Sequence, residues 1–457
     1  MSKISTSRFT IVNDVHVHVP VNENLMTNFI LQEQGDWFED EIKFVRNFIK
    51  PGMNVIDIGA NYGVYTLTIA KMIGKSGKLW AFEPTDTTAF CLRKSIAENK
   101  LDNIELIQAG LSDKIGEATF FTSPNSELNS LTQDAGGGES ETISLLTLDH
   151  CMKKFEWDRI DFIKLDAEGE ECNILTEARE TFSSFSPMIM FELKHGEHVN
   201  LPLIERFKGM GLDCYRLLPG LNILVPFDHR QPFDGYLLNL FACDKKRASQ
   251  LESEGVIVQA WDVTKLVDNV SLAEQFIGDL KCGSSLKKHL PPASDSSDDY
   301  MAILNGYIMS LSNSESNVDR VSYLMSALAG ARRMIAKGEG RIERLVPFAR
   351  IAIDAGERAL GVEVLGGLIN RYNATINFEV DELLLPACKR FDDVDPKVDI
   401  NKWLYSSILE TYIKQHAFSC YFTEKTTLPF FAGLDSLGFI SEEMRNRFTL
   451  VFSHYPQ

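Results

Sequence analysis

The sequence has no CxxC pair: its eight cysteines are scattered through 457 residues. This spacing excludes a zinc ribbon or a thioredoxin-like motif and is typical of reduced thiols in a cytosolic protein. The sequence also lacks an apolar run of about 18 residues, so no transmembrane helix is expected. Its N-terminus lacks the apolar core of a signal peptide. We therefore expect a cytoplasmic protein.

Basic residues are in the minority, 46 against 64 acidic residues, which gives a formal net charge of −18. A surface of this charge repels nucleic acids and anionic lipids, so neither a nucleic acid nor a membrane is expected as a partner. A neutral small-molecule or glycan acceptor remains compatible. The oligomeric state is left open. With 44% hydrophobic and 24% charged residues, the chain has an ordinary globular composition, and its length suits two to three domains.

The N-terminal 52 residues predict a strand and a helix that lead into the main fold. The strand is VHVHV, in which the valines share one face and His16 and His18 the other. We interpret these histidines as exposed strand residues, because no third metal ligand lies nearby in sequence. The helix follows, with Ile42, Val45 and Ile49 at helical spacing, and Pro51-Gly52 ends it.

Residues 53–244 alternate between apolar strand candidates and helical stretches. The strands are NVIDIG, KLWAFE, IELIQA, DFIKL and MIMFE, followed by LDCYRLL and GYLLNLFAC as an antiparallel edge pair. This pattern predicts an α/β fold with a doubly wound, Rossmann-like sheet, since buried parallel strands are nearly continuously apolar. An interruption from ATFFTSP to ISLLTL predicts a hairpin, with a loop around Gly136–Gly138 placed either on the ligand side or in solvent.

Residues 245–299 are expected to form a connecting segment, because Pro291–Asp299 is rich in proline, serine and acid. Residues 300–457 are predicted to form a helical C-terminal domain. Within it, one stretch resembles a helix pair that turns at Gly356, although a single pair is weak support for a repeat array. This region is expected to serve acceptor recognition or assembly.

The segment NVIDIGANYG predicts a nucleotide-binding turn at the carboxyl edge of the sheet. Asp57 ends a strand, Gly59 allows a tight turn and close ligand approach, and Gly63 opens a helix. Asn61 stands where a dinucleotide fingerprint has its second glycine. Ala60 lies between Gly59 and Asn61 in the same turn. An acid before the turn repels a diphosphate and attracts an ammonium group, which favours S-adenosylmethionine over NAD.

A second anchor for the cofactor follows the next strand, where Glu83 precedes Pro84. The carboxylate lies 20 residues after Gly63, the offset at which an acid accepts hydrogen bonds from ribose hydroxyls. This feature is shared with NAD enzymes and does not by itself decide between the two cofactors.

The sequence resembles the FkbM-type methyltransferases in four segments. They are VIDIGANYGVYTL, AFEP, TLDH and IDFIKLDAEGEE with the later MIMFEL, and the resemblance covers roughly Asp36 to Asp244. It implies a class I methyltransferase that transfers methyl groups from S-adenosylmethionine to oxygen, often on sugar hydroxyls of glycans or natural products. It implies nothing about the C-terminal part.

Candidates for the chemistry lie after two neighbouring strands. Asp166 follows DFIKL and is expected to contact the cofactor and the acceptor, while Glu192 and His195 follow MIMFE as further catalytic candidates. A histidine titrates near neutral pH and suits a general base, although His195 also fits a plain surface turn. Glu168 is expected either to cap a helix or to act in the site. Lys164, buried by pattern, either pairs with a carboxylate or contacts the acceptor.

No metal is included among the expected cofactors, because a sulfonium needs no Lewis acid. Asp166 and Glu192 could alternatively hold Mg²⁺, which prefers oxygen ligands. Two other classes of protein also remain as alternatives. One is an NAD-dependent oxidoreductase, and the other is a non-catalytic protein that keeps the cofactor-binding fold as a scaffold.

Overall fold

The computed structural model describes residues 4–22, 24–122, 139–195, 198–265, 267, 270–289, 299–372, 378–397 and 399–455. The chain divides into two compact units. The first comprises Met1–Leu217, Leu224–Phe233 and Leu237–Ile257, and the second comprises Leu218–Ile223, Asp234–Tyr236 and Val258–Gln457. The predicted domain limits at residues 52, 244 and 299 stay a prediction.

The first unit is a mixed α/β structure. Its strands are β1 Thr6–Ile11, β2 Val15–Pro20, β3 Asn54–Ile58, β4 Lys78–Phe82, β5 Ile104–Ile107, β6 Gly110–Leu111, β7 Gly116–Thr122, β8 Glu139–Leu146, β9 Phe162–Leu165, β10 Met188–Glu192, β11 Lys194–His195, β12 His198–Val199, β13 Leu212–Leu218, β14 Ile223–Pro226 and β15 Asn239–Asp244. Its helices are α1 Met26–Gln34, α2 Glu41–Phe48, α3 Val64–Ile73, α4 Asp86–Glu98, α5 Leu148–Lys154, α6 Glu171–Ile174, α7 Arg179–Phe185, α8 Leu201–Gly209 and α9 Lys245–Ser253.

Eight of the described strands form the central sheet, in the order β14-β13-β15-β10-β9-β3-β4-β5. Strands β10, β9, β3, β4 and β5 run parallel to one another. Strand β15 is antiparallel to both β10 and β13. The predicted doubly wound sheet with an antiparallel edge is therefore confirmed. Sequence reasoning missed β14, a four-residue strand beyond β13.

The central strand β3 is buried on both faces, which explains its continuous apolar sequence. Successive side chains of a strand point to opposite faces. Val55 accordingly packs in one hydrophobic core, and Ile56 and Ile58 pack in the other. Asp57 shares its face with Val55 and is fully buried. The strand thus ends with a carboxylate inside the protein, directly before the turn to α3.

Strands β1 and β2 form an antiparallel hairpin. Val15, Val17 and Val19 are fully buried, as the alternating pattern predicts. The expectation of exposed histidines is wrong for His18, which is only 5% exposed. Its ring hydrogen-bonds to the Glu98 carboxylate, and its backbone N–H donates to Ser95 at 2.8 Å. The hairpin packs its second face against α4, and the histidine is buried for that reason.

Strands β7 and β8 pair antiparallel and confirm the predicted hairpin, with β6 as the third strand of this small sheet. The glycine tract at 136–138 lies outside the described residues. Phe120 of β7 and Ile143 of β8 form part of the lining of the cavity described below. The hairpin base therefore lies on the ligand side of the central sheet.

The second unit is helical in its described residues. Its helices are α10 Val270–Asp279, α11 Gly283–His289, α12 Asp299–Ser310, α13 Asn317–Ala336, α14 Ile342–Asp354, α15 Arg358–Tyr372, α16 Ile400–Gln415, α17 Leu428–Ser436 and α18 Glu442–His454. The predicted turn at Gly356, whose φ is 74°, joins α14 and α15. Most of the predicted linker, residues 291–298, lies outside the described part of the chain. Among the described helices, none is long and apolar enough to cross a membrane.

Candidate active site

A cavity in the first unit opens at the carboxyl ends of β3, β4 and β9. It encloses about 1070 Å³ of empty space, the open solvent at its mouth included, which is ample for a nucleoside-sized ligand. The predicted site residues that line it are Gly59, Ala60, Asn61, Gly63, Glu83, Pro84 and Asp166. The turn after β3 and the ends of its two neighbouring strands thus converge on one cavity, as expected for a doubly wound sheet.

Two glycines shape the turn between β3 and α3. Gly59 has φ 76°, and a Cβ built there would lie 1.7 Å from the Asp166 carbonyl oxygen. Gly63 has φ 91°, and its Cβ would lie 2.3 Å from a Leu92 methyl carbon. Any other residue at either position would need a rarely adopted backbone conformation and would also collide with a neighbouring segment. The turn after β3 and the loop after β9 are therefore in direct backbone contact.

Glu83 is held in place by the backbone on both sides. One carboxylate oxygen accepts from the Asn61 N–H at 3.0 Å, and the other accepts from the N–H and hydroxyl of Thr85 at 3.0 and 2.7 Å. Asn61 adopts φ 50°, a conformation that asparagine tolerates. Burial raises the pKa of Glu83 to about 6, although these hydrogen bonds lower it. The oxygen that accepts from Asn61 keeps a free lone-pair direction for a ligand hydroxyl, whereas the other oxygen already accepts two hydrogen bonds.

Asp57 is not among the residues that line the cavity. It is fully buried, and one carboxylate oxygen accepts from the Thr66 hydroxyl at 2.5 Å. Burial raises its pKa, while the charge of Lys164 lowers it. The Asp57 carboxylate therefore contacts α3 through Thr66 and interacts electrostatically with Lys164, which lines the cavity. Its predicted attraction for the cofactor ammonium stays a prediction.

The buried Lys164 and the half-buried Asp166 form an ion pair on the β9 side of the cavity, and both line it. The lysine nitrogen lies 2.7 Å from an Asp166 carboxylate oxygen and 5.2 Å from the centre of the Tyr65 ring. Burial opposes the charge on Lys164, but the carboxylates of Asp166 and Asp57 outweigh it and raise the lysine pKa. Lys164 therefore pairs with a carboxylate, as one of the two alternatives predicts, and it also lines the cavity in which a ligand would bind.

The loop after β9 is stabilised by its own acidic residues. Glu171 accepts from the backbone N–H groups of Ala167 and Gly169 at 2.9 and 3.3 Å. Helix α6 begins at Glu171 and its N-cap position is Glu170, so Glu168 does not cap this helix. Glu168 has φ 50° and lines the cavity. Glu171 thus holds two amides of the loop, and Glu168 lies at the cavity beside it.

Sequence reasoning missed the contribution of the segment between α1 and α2. Trp37 and Glu39 line the cavity together with Thr27 of α1. The Tyr65 hydroxyl donates to Glu39 at 2.5 Å. Burial raises the pKa of Glu39, and the bond from Tyr65 and the charge of Lys164 oppose this effect. No motif marks these positions, because their place in the site depends on tertiary packing.

Of the two further catalytic candidates, Glu192 and His195, only Glu192 has a described side chain. Glu192 ends β10, pairs in register with Asn239 of β15, and is not among the cavity-lining residues. The backbone of His195 lies in β11, but its side chain is outside the described part of the chain. Their catalytic roles stay predictions. Within the described residues, no group of three or more histidine, cysteine, aspartate or glutamate side chains could hold a metal ion.

Comparison with known families identifies residues 57–209 as a methyltransferase FkbM domain. The predicted family is confirmed, and this part of the chain is a methyltransferase domain of the FkbM type. The match covers the turn after β3, Glu83 and the loop after β9, and it supports S-adenosylmethionine as the cofactor. It also favours a methyltransferase over the NAD-dependent alternative. A search of curated proteins found no match.

Solved structures with a similar arrangement are also methyltransferase-like. The methyltransferase FkbM from Methylobacillus flagellatus KT is 16% identical with a TM-score of 0.30, over 42% of this chain and 43% of that one. Trm5b from Pyrococcus abyssi is 12% identical with a TM-score of 0.29, over 53% and 56%. An rRNA methylase from Streptococcus thermophilus is 12% identical with a TM-score of 0.27, over 45% and 93%.

Proposed function

We propose that this protein transfers the methyl group of S-adenosylmethionine to a hydroxyl group of a sugar, a glycan or another natural product. The observation that carries the proposal is the cavity at the ends of β3, β4 and β9, three strand ends that belong to the FkbM domain, and its lining of acidic side chains.

The cofactor is proposed to lie across the turn after β3. Glu83 accepts hydrogen bonds from the two ribose hydroxyls, beside Pro84, and the turn from Gly59 to Gly63 receives the ligand through its backbone. The contact between Gly59 and the Asp166 carbonyl supports this role, because it keeps the turn free of side-chain bulk. Asp166 faces the other half of the cofactor and the acceptor.

The acceptor is proposed to be neutral. Among the described residues that line the cavity, five are acidic, Glu39, Glu83, Asp166, Glu168 and Glu170, and Lys164 is the basic one. A phosphorylated acceptor would meet net repulsion there, whereas the carboxylates can accept hydrogen bonds from several hydroxyls. The ring of Trp37 adds an apolar surface for the C–H face of a sugar. These features favour a sugar hydroxyl over a nucleic acid.

The proposed reaction is an in-line displacement, in which positioning supplies most of the rate. The cofactor supplies an electrophilic methyl group. The acceptor oxygen forms a bond to the methyl carbon as the carbon–sulfur bond breaks, and the electron pair remains on sulfur. A carboxylate of the cavity takes the hydroxyl proton, and Asp166 is the proposed base. Glu192 and His195 remain as further candidates for this step.

The proposal is tested by incubating the full chain with S-adenosylmethionine and a panel of alkyl glycosides, oligosaccharides and transfer RNA. We expect a mass gain of one methyl group on a glycoside or oligosaccharide and none on RNA, with and without EDTA, because a sulfonium needs no Lewis acid. Methylation of RNA alone would contradict the proposed acceptor. Loss of transfer with EDTA, restored by Mg²⁺, would contradict the metal-free mechanism.

The substitution Glu83→Gln should weaken S-adenosylmethionine binding roughly ten- to a hundredfold, because it removes charge-assisted hydrogen bonds. The pKa of about 6 adds a pH dependence. The carboxylate is present above this pH, so the ratio of wild-type to variant affinity should fall as the pH drops through 6, because other titrating groups affect both proteins alike. Calorimetric titration between pH 5 and 8 measures both. Equal affinities at pH 8 would show that Glu83 does not bind the ribose.

A further inference from the structure

Four side chains face one another on the β9 side of the cavity, and we call them the β9 cluster: Glu39, Tyr65, Lys164 and Asp166. They come from three separate segments, the residues before α2, helix α3, and the end of β9 with its following loop. All four line the cavity. The Tyr65 hydroxyl bonds to Glu39, the Lys164 ammonium lies over the Tyr65 ring, and Lys164 pairs with Asp166. The cluster is therefore one connected group.

The charges of this cluster do not balance. Lys164 is the cation, and the carboxylates of Glu39, Asp57 and Asp166 act on it electrostatically. Tyr65 remains neutral, since burial and the nearby Glu39 and Glu41 raise its pKa well above the ordinary value. With all carboxylates ionised, the cluster with Asp57 carries an excess of negative charge. A ligand that brings a positive charge would relieve it.

The excess charge is best assigned to Glu39. One oxygen of Asp166 is 2.7 Å from the Lys164 ammonium, so its charge has a direct counterion. Glu39 instead accepts its short hydrogen bond from a neutral hydroxyl. Its pKa is raised by burial, which shows that ionisation is costly without a further cation. A bound cation next to Glu39 would lower that cost.

S-adenosylmethionine and the product S-adenosylhomocysteine differ in the charge on their sulfur atom. The sulfonium of the cofactor is positive, and the thioether left after transfer is neutral. We infer that Glu39 is a charge-selective residue of the cofactor site, which stabilises the sulfonium and loses this interaction once the methyl group has left. The product is then bound more weakly than the substrate and is released. This inference rests on the proposed function.

The test compares three probes on the full chain by calorimetric titration. They are S-adenosylmethionine, sinefungin, in which an amine makes the same position cationic, and S-adenosylhomocysteine. In the wild type we expect the two cationic probes to bind roughly tenfold more tightly than the neutral one, since a nearby unit charge is worth about that factor. The substitution Glu39→Gln should bring the ratio close to one while leaving the affinity for S-adenosylhomocysteine unchanged.

The matched control is Glu41→Gln, two residues away. Burial raises the pKa of Glu41 to about 8, so it is largely neutral below that pH and glutamine mimics it closely. It does not line the cavity. This variant should keep the wild-type ratio. An equal loss of all three probes in Glu39→Gln would overturn the inference, because the contact would then be with a group that substrate and product share.

A pH series on the wild type supplies a second measurement that needs no variant. The groups that face Glu39 are Tyr65, Lys164 and Asp166, with Asp40 and Glu41 beside it in sequence. Lowering the pH protonates Glu39, so the ratio of the affinities for S-adenosylmethionine and S-adenosylhomocysteine should fall towards one. Titration of Glu83 cancels in this ratio, since the ribose is common to both. A ratio of one at every pH would refute the inference, whereas no binding of any probe would refute the proposed function.

Discussion

Replacement of Gly59 by alanine is expected to reduce S-adenosylmethionine binding by roughly a hundredfold or more. The new Cβ would lie 1.7 Å from the Asp166 carbonyl oxygen and 2.9 Å from its carbonyl carbon. These are backbone atoms, so the clash cannot be relieved by a side-chain rotation. The turn after β3 and the loop after β9 would have to separate, and both line the cavity. Calorimetric titration of the folded variant with the cofactor measures the loss.

The matched control for this change is Gly74→Ala at the end of α3. Gly74 has φ 63°, close to the 76° of Gly59, but a Cβ there meets nothing within 4 Å. The control therefore carries the cost of a positive-φ backbone that glycine alone adopts readily, about 1–3 kcal/mol, without the collision. We expect it to lower the melting temperature and to leave cofactor affinity unchanged. Equal affinities in the two variants would show that the contact between the two loops does not matter for binding.

The sheet was predictable because burial on both faces leaves a direct trace in sequence. Each parallel strand is a short apolar run that ends in a polar residue, and the helices between them fix the order of the sheet. Strand β14 was missed for the opposite reason. It has four residues, ILVP, a run too short to be distinguished from an apolar loop by its sequence, although the Pro219-Gly220 pair before it is a turn signal.

The candidate site was predictable only where the backbone itself dictates the residue. Gly59 and Gly63 are required by positive φ and close approach, and Glu83 by its place at a strand end. Glu39 and Trp37 have no such mark, because they reach the cavity through packing of a segment that precedes the sheet. The sequence EDEIKFVRNFI indicates a helix with an acidic start, and that pattern is equally typical of an ordinary solvated helix end.

Asp57 illustrates how a correctly located residue can differ in its contacts. The sequence indicates an acid at the carboxyl end of the central strand, and the structure has it there. Because β3 alternates between two cores, the side chain at this position lies on the buried face with Val55. It bonds to Thr66 of α3 and interacts electrostatically with Lys164. The sequence alone could not distinguish this buried position from one that faces the ligand.

Lys164 is the residue whose replacement should most destabilise the first unit. The substitution Lys164→Met removes the ammonium group that interacts electrostatically with the carboxylates of Asp57 and Asp166, while it keeps a side chain of similar length. Removing the cation that acts on a fully buried carboxylate costs up to about 3–5 kcal/mol, and the half-exposed Asp166 adds less, because water screens its charge. Asp57 cannot turn towards water, since it is fully buried and bonded to Thr66. We therefore expect a marked drop in the melting temperature of this unit.

Scanning calorimetry measures the effect on the transition that S-adenosylmethionine shifts upward, which identifies the cofactor-binding unit. The double variant Asp57→Asn with Lys164→Met should recover part of the stability, because the charge stranded by the lysine change is then absent. The control is Lys78→Met, which breaks a pair with Glu105 at 2.7 Å. Both side chains of that pair are substantially exposed, so little change is expected. If Lys164→Met melts with the wild type, or if Asp57→Asn adds to the damage instead of reversing part of it, Lys164 does not neutralise the buried carboxylate.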